Sequence, residues 1–175
     1  MGSTKRKEID VINLMMSNYK VEIIKDTMDD LILDFFGPPN SLYEGGHWKI
    51  HIEIPTDYPY KFPSIRFENK IFHPNINEET GRICLDVLNQ TWSPMFDLRN
   101  IFDSFIPQLL MYPNPLSYLN MEAASLLLKN PENYNKKVKE MVKKYSIKPN
   151  EELSEISLDG LSDLSDTSDL DPELL

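Results

Sequence analysis

The sequence is poor in residues that form disulfides or bind metals. Among its 175 residues there is one cysteine, Cys84, and there are three histidines, His47, His51 and His73. A single cysteine cannot form a disulfide within the chain, and so few ligands cannot build a four-ligand zinc site of the usual spacing. This scarcity excludes a disulfide-stapled domain, and it is typical of a protein from a reducing compartment.

Long apolar runs are also missing. The first ten residues, MGSTKRKEID, carry charges where a secretory signal needs about 7 to 15 apolar residues. No later stretch offers about 18 uninterrupted apolar residues. We therefore expect neither secretion nor a membrane partner, and we place the protein in the cytoplasm, the nucleus or both.

Basic residues are absent from the end of the chain. Residues 151–175 contain nine Asp or Glu, which leaves 19 of the 28 acids against all 18 Lys and Arg in residues 1–150. The net charge of −10 therefore belongs to the tail, and the rest of the chain has no basic field that would indicate nucleic-acid binding. Because residues 150–175 also lack aromatic side chains, we expect them to be an acidic, Ser-rich, disordered tail after a folded domain at residues 1–149.

Hydrophobic periodicity predicts helices and strands in the folded part. Ile9, Ile12 and Met15 or Met16 recur at helical steps, and Trp48, Ile50, Ile52 and Ile54 alternate with polar residues as in a half-buried strand. We predict four strands in an antiparallel meander, at residues 19–25, 31–36, 48–55 and 64–68, and helices at residues 4–18, 97–110, 120–129 and 131–145. His51, on the polar face of the third strand, is interpreted as a surface histidine without a role.

The helix at residues 97–110 has two unusual features. Asp97 is placed to cap it, and Pro107 predicts a kink because proline removes a backbone donor. Asn100, Ser104 and Gln108 form an uncharged polar stripe, whereas a face that only meets water usually carries Glu and Lys. The stripe therefore indicates a face that receives another protein.

Cys84 lies in a long irregular stretch from Phe67 to Trp92, and loops of that length are usually functional. It follows a predicted turn, so we expect its thiol on an exposed rim, although a lone cysteine is more often a buried small hydrophobe. His73 precedes Pro74 in a stiff tripeptide, which favours a structural histidine over a catalytic base. The Asn75 side-chain amide could donate to an oxyanion. A thiol and an amide donor without a base indicate acyl transfer through a thioester.

Several motifs in order resemble the ubiquitin-conjugating enzymes. They cover about residues 4–146 and are, in chain order, Tyr43-Glu44-Gly45-Gly46, Tyr58-Pro59, His73-Pro74-Asn75, Ile83-Cys84-Leu85-Asp86, Trp92-Ser93-Pro94 and Pro113-Asn114-Pro115. The run Leu85 to Trp92, the Asn100-Ile101-Phe102 and Pro107-Gln108-Leu109-Leu110 segments and the acidic tail are most similar to the H class, related to yeast Ubc-eight.

The resemblance implies an α+β fold with an N-terminal helix, a four-stranded antiparallel meander and three C-terminal helices. It implies that Cys84 accepts the C-terminal glycine of ubiquitin as a thioester from an activating enzyme and passes it to a substrate lysine with a RING-type ligase. Asn75 would steady the loop and the oxyanion, His73 would be structural, and Asp86 belongs to the catalytic motif. ATP would be used by the activating enzyme, and no cofactor or metal would be bound here.

The resemblance also implies three docking surfaces and a partner. The activating enzyme would bind the basic first turn at Lys5, Arg6 and Lys7, and donor ubiquitin would bind the stripe at Asn100, Ser104 and Gln108. A ligase, for the H class a multi-subunit CTLH-like ligase, would bind two loops. Those loops contain Tyr60, Lys61, Phe62, Trp92, Ser93 and Pro94.

One position departs from the family pattern. Many members have an aspartate two residues after Pro-Asn-Pro that helps to deprotonate the incoming lysine, and here that position is Ser117. The residues leave two further functions open: a conjugating enzyme for a ubiquitin-like modifier, and a ubiquitin-binding scaffold without catalysis.

Overall fold

A computed structural model describes residues 2–149 of the chain. The predicted tail at residues 150–175 lies outside the described residues. The elements in chain order are α1 (Ser3–Met15), β1 (Val21–Ile23), β2 (Asp30–Phe36), β3 (His47–Glu53), β4 (Ser64–Phe67), α2 (Leu85–Thr91), α3 (Leu98–Asn100), a π-helical turn (Ile101–Phe105), α4 (Ile106–Met111), α5 (Met121–Lys129) and α6 (Pro131–Tyr145).

The four strands form one antiparallel meander in the order β1-β2-β3-β4, as the alternating pattern predicts. Leu31 pairs with Ile52 and Leu33 pairs with Ile50, so their side chains share one face of the sheet. This face is buried together with Trp48 and Phe67. The predicted α+β fold, with a helix before the sheet and helices after it, is confirmed.

The outer face of the sheet carries a charged network that the sequence did not reveal. His51 is not a solitary surface histidine: its side chain is 14% exposed and is bonded to Asp30 through Nε2. Arg66, its cross-strand partner, approaches His51 Nδ1 at 2.9 Å. Hydrogen bonds from Lys25 and His51 lower the pKa of Asp30. The alternation along β3 places His51 on the polar face as predicted, but it carries no information about the partners of His51 on β2 and β4.

Helix α1 buries a different face from the one that its pattern predicts. Ile12 and Met16 are exposed, whereas Val11 and Leu14 are buried. Asp10 lies on the buried face at 3% exposure, because its carboxylate accepts hydrogen bonds from Arg6 Nε (2.8 Å) and from the Tyr58 hydroxyl. A carboxylate whose charge is compensated by such partners can be buried, and the apolar spacing along α1 gives no sign of them.

The helical segment after Asp97 begins as predicted. Asp97 and Asn100 form a reciprocal capping box, with distances of 3.0 and 2.9 Å. The structure has a π-helical turn that ends directly before α4, whose second residue is Pro107, and Ile106 N–H donates to the Ile101 carbonyl five residues back. Proline has no N–H for the carbonyl four residues before it, which favours irregular bonding in the preceding turn.

Helix α2 lies in residues 67–92, which were predicted to be irregular. It has only seven residues and one fully buried side chain, Leu88, so it shows no measurable period. Helices α5 and α6 start at the predicted positions, capped by the side chains of Asn120 and Asn130. Within residues 2–149, no helix has both the length and the apolar character needed to cross a bilayer.

Candidate active site

Cys84 lies where a tight hairpin meets the first turn of α2. Its N–H donates to the Asn75 carbonyl at 2.9 Å, and its own carbonyl accepts from Leu88 N–H at 3.2 Å. The hairpin turn needs glycine at position 81, where φ is +70° and an added Cβ would lie 1.9 Å from the Phe67 carbonyl oxygen. The hairpin and the helix together fix the backbone that carries the thiol.

The exposure of Cys84 differs from the sequence-based expectation. The residue is 8% exposed and counts as buried, whereas an open rim position was expected. Residues 114–120 bond to the backbone of Pro74 and to the side chain of Asn75, whose carbonyl accepts from Cys84 N–H.

His73 is fully buried and has a partner at each ring nitrogen. Nδ1 accepts from Asn75 N–H at 3.0 Å, so Nε2 carries the proton and donates to the Leu109 carbonyl at 2.8 Å. Burial lowers the pKa of His73 to about 4, which keeps the ring neutral near pH 7. Both nitrogens are used within the fold, and this geometry is that of a structural histidine.

Asn75 uses its whole side-chain amide to hold residues 114–117. Its Nδ2 donates to the carbonyls of Asn114 and Ser117, each at 2.7 Å, and its Oδ1 accepts from Asn114 N–H at 2.8 Å. An amide nitrogen has two hydrogens, so this arrangement leaves none for an oxyanion. The geometry therefore shows the loop-holding part of the expected role and corrects the oxyanion part.

Two further asparagines belong to this side of the site, and sequence reasoning missed them. The Asn114 side chain accepts from Leu116 N–H at 3.1 Å. Asn120 caps α5, donates its N–H to the Pro74 carbonyl at 3.0 Å, and places its Nδ2 3.3 Å from Glu78. The available signal was the density of asparagine and proline around residues 113–120. Ser117 is half-buried in this loop and brings no carboxylate to it.

The six predicted ligase-docking residues lie on two loops that aromatic rings hold together. The Trp92 ring meets Phe62 edge-on, with the ring centroids 5.2 Å apart, and its Nε1 donates to the Pro59 carbonyl at 2.8 Å. Tyr60 projects from this surface at 77% exposure. Lys61 and Pro94 are also exposed, and Ser93 is half-buried.

The polar stripe and the basic first turn have different surroundings. Asn100, Ser104 and Gln108 line one groove of about 220 Å³ beside Trp92 and Phe96.

In the basic turn, Lys5 is exposed, but Arg6 bonds to Asp10 and to the Phe96 carbonyl at 2.8 Å each, and Lys7 lies 3.9 Å from Asp29. Two of the three cations predicted to bind the activating enzyme, Arg6 and Lys7, therefore already contact groups of the same chain. The hydrogen bond to Asp10 raises the pKa of Arg6.

Asp86 is exposed in the first turn of α2, two residues after Cys84. Among residues 2–149, no group of three His, Cys, Asp or Glu side chains is arranged to hold a metal ion.

Comparison with known proteins gives a consistent result. The model of the family described as ubiquitin-conjugating enzyme matches residues 4–142. The chain is 52% identical over 171 residues to Ubiquitin-conjugating enzyme E2 5 of Arabidopsis thaliana, covering 97% of this chain and 92% of the relative. It is 50% identical over 149 residues to Ubiquitin-conjugating enzyme E2-24 kDa of Saccharomyces cerevisiae, covering 85% and 68%.

Solved structures agree with the sequence comparisons. A structure described as a ubiquitin conjugating enzyme from Plasmodium yoelii superposes with a TM-score of 0.74 at 33% identity, covering 85% of this chain and 98% of that one. The E2 domain of a Toxoplasma gondii ubiquitin conjugating enzyme gives a TM-score of 0.72 at 31% identity, covering 82% and 98%.

Proposed function

The chain belongs to the ubiquitin-conjugating enzyme family, and from that premise we propose that Cys84 is the residue that carries ubiquitin as a thioester. The protein is a ubiquitin transferase, and this family works with ubiquitin, an activating enzyme and a ligase. The observation that carries the proposal is that Cys84 is the sole thiol among the 175 residues. Membership of the family favours ubiquitin over the two other functions that the sequence left open.

The reaction consists of two acyl transfers. The Cys84 sulfur attacks the ubiquitin thioester on the activating enzyme, and the activating enzyme's thiolate leaves. A substrate lysine amine then attacks the same carbonyl, so that a C–N bond forms, the C–S bond breaks, and the amine proton passes to solvent or a base. ATP is consumed by the activating enzyme, and we propose that this chain binds no cofactor of its own.

The carbonyl of the thioester needs a fixed position during attack. The Asn75 amide and the backbone of Pro74 tie residues 114–120 to the hairpin that bears Cys84. We assign Asn75 the role of holding this wall of the site, together with His73, whose ring locks the turn that presents Asn75. Fixing the reacting groups lowers the barrier by removing unproductive orientations.

Three docking surfaces complete the proposal. The ligase RING would bind the aromatic-held surface at Tyr60, Phe62 and Trp92, because Tyr60 is exposed on a rigid support. Donor ubiquitin would bind the groove lined by Asn100, Ser104 and Gln108. The activating enzyme would bind the first turn of α1.

The finer identity follows from the sequence motifs. We propose the H class, related to yeast Ubc-eight, a CTLH-like multi-subunit ligase as partner, and a cytoplasmic or nuclear location.

A charging assay tests the central proposal. The protein is incubated with ubiquitin, ATP and a ubiquitin-activating enzyme and run on a gel with and without reductant. We expect a reductant-labile adduct, its loss in Cys84→Ala, and a reductant-resistant oxyester in Cys84→Ser. No adduct with ubiquitin, but an adduct with a ubiquitin-like modifier and its own activating enzyme, would favour the second function. No adduct with any modifier would favour the scaffold.

Ser117 gives a second test. Because it offers no carboxylate to deprotonate or orient the amine, we expect slow discharge to free lysine without a ligase. Ser117→Asp should accelerate this discharge about tenfold, measured as loss of the thioester in single-turnover assays. Ser117→Asn is the matched control without charge. Equal rates for all three proteins would show that Ser117 has no part in the proton transfer.

A further inference from the structure

The described chain ends beside the first residue of β3, His47. Ile147 N–H donates to the His47 carbonyl at 3.0 Å, and Ser146 Oγ accepts from His47 N–H at 2.7 Å. Asn69 Nδ2 donates to the Tyr145 carbonyl at 2.8 Å. The backbone is therefore fixed to the sheet only a few residues before residue 150, and the position from which residues 150–175 start is known.

Four lysines surround this exit and form what we call the exit cluster: Lys70, Lys143, Lys144 and Lys148. The ammonium groups of Lys70 and Lys144 lie 5.5 and 5.1 Å from the centroid of the Tyr145 ring. The Lys148 ammonium group donates to the Lys143 carbonyl. Within the part of the chain that the structure describes, no carboxylate forms an ion pair with any of the four.

The first half of α6 behaves differently. Lys136 pairs with Glu140 at 4.0 Å, and Lys137 pairs with Glu122. Positive charge is therefore balanced at the start of the helix and unbalanced at its end. Four neighbouring cations repel one another, so a polyanion that bound them would remove that repulsion and gain attraction.

We propose that the acidic tail of the same chain, residues 151–175, docks on the exit cluster. The tail has nine carboxylates and no base, and its first two, Glu151 and Glu152, follow Lys148 by three and four residues. An extended chain covers about 3.3–3.6 Å per residue, so Glu155 and Asp159 also come within reach of the cluster. Such a short tether gives an effective concentration on the order of millimolar, which makes weak ionic contacts sufficient.

The docking has two consequences. It is strongly salt-dependent, because its contacts are between exposed charges. It also covers the exit cluster, so an acidic surface of another protein binds there only after the tail is displaced. Phosphorylation of tail serines would add about −1.5 to −2 charge each and strengthen the contact. The inference does not depend on the chemistry of Cys84.

A spin-label experiment on the full chain tests the proposal. A nitroxide is attached to Ser162→Cys in a Cys84→Ser background, and paramagnetic broadening of the backbone amide signals is measured. We expect broadening of residues 143–148 and 69–70 at about 0.01 M salt, falling about threefold or more at 1 M salt, where the screening length drops from about 30 to 3 Å. This salt series needs no further variant.

Matched charge reversals distinguish electrostatic docking of the tail from the nearness that its covalent attachment alone would cause. Lys70→Glu, Lys143→Glu, Lys144→Glu and Lys148→Glu together should abolish the salt-dependent broadening. The control reverses four exposed lysines elsewhere, Lys5, Lys129, Lys136 and Lys139, and should retain it. Broadening that is the same in both variants and at both salt concentrations would overturn the proposal, because it would reflect only the tether. Broadening of nitroxide-free molecules in a mixture would overturn docking within one chain.

Discussion

Two groups of loops are connected to Cys84, one by the hydrogen bond from Cys84 N–H to the Asn75 carbonyl and one through helix α2, and they are held by different forces. On one side, residues 73–75 and 114–120 are joined by hydrogen bonds between the buried Asn75 side chain and backbone atoms of Asn114 and Ser117. On the other side, residues 58–62 and 92–96 are joined mainly by contacts between aromatic rings. We call these the asparagine side and the aromatic side.

The difference matches the tasks proposed for the two sides. Hydrogen bonds are directional, so the asparagine side fixes atoms within narrow limits, which suits the wall of a reaction site. Ring contacts tolerate small shifts and leave a large apolar residue, Tyr60, free to contact a partner. The comparison predicts that substitutions on the asparagine side lower both the folding stability and the rate of thioester discharge. Substitutions of exposed residues on the aromatic side should change only the recognition of the ligase.

At neutral pH, the largest effect of a single substitution is expected for Asn75→Ala. The substitution leaves two carbonyls and one N–H of residues 114–117 without their partner, which should cost about 3 kcal/mol of folding free energy in chemical denaturation. Discharge of the thioester should slow as well. If stability were unchanged while discharge failed, Asn75 would act as an oxyanion donor and the division between the two sides would be wrong.

Arg6→Ala should cost about 2 kcal/mol, because Asp10 is buried and would lose its cationic partner. Lys5→Ala, in the same basic turn, is the matched control and should change stability by less than about 0.5 kcal/mol. Charging by the activating enzyme is measured on both variants at a temperature where both are folded. Equal destabilisation by the two substitutions would show that the Arg6–Asp10 pair does not anchor α1.

The pH dependence of stability tests the buried histidine. The folded pKa of His73, about 4, lies below the unfolded value of about 6.5, so the unfolded state binds the proton first. The contribution of neutral His73 to the free energy of unfolding is therefore fully present above pH 6.5. It falls by about 1.4 kcal/mol per pH unit as the pH drops toward 4. Urea denaturation of wild type and His73→Gln should give curves that converge over this window. If the two curves of unfolding free energy against pH ran parallel, the proton taken up on unfolding would bind to a group other than His73.

The smallest effect on stability is expected on the aromatic side. Trp92→Phe keeps a ring but loses the hydrogen bond to the Pro59 carbonyl, which should cost about 1 kcal/mol. Tyr60→Ala, at an exposed position, should leave stability unchanged. Ligase-stimulated discharge should fall about tenfold in both variants, with charging unaffected. A large loss of charging in Tyr60→Ala would contradict the proposal that the aromatic side acts only in recognition of the ligase.

Much of the fold was predictable from local patterns. The alternation from Trp48 to Ile54 gave the central strand, and Asn120, Asn130 and Asp97 marked helix starts that the structure confirms. Local patterns failed where a distant residue decides the outcome. Asp10 is buried because Tyr58, 48 residues away, meets its carboxylate, and no period along α1 can contain that information.

The sequence by itself determined the chemistry that is available: one thiol, no disulfide, acid concentrated in the tail, and motifs that identify the family. Only the tertiary structure decided how that chemistry is arranged. It buried Cys84, turned the Asn75 amide toward residues 114–117, and assembled the exit cluster from β4's following loop and the end of α6. The physical reason is that composition and spacing fix which groups exist, whereas hydrogen bonds between residues far apart in the chain fix where each group points.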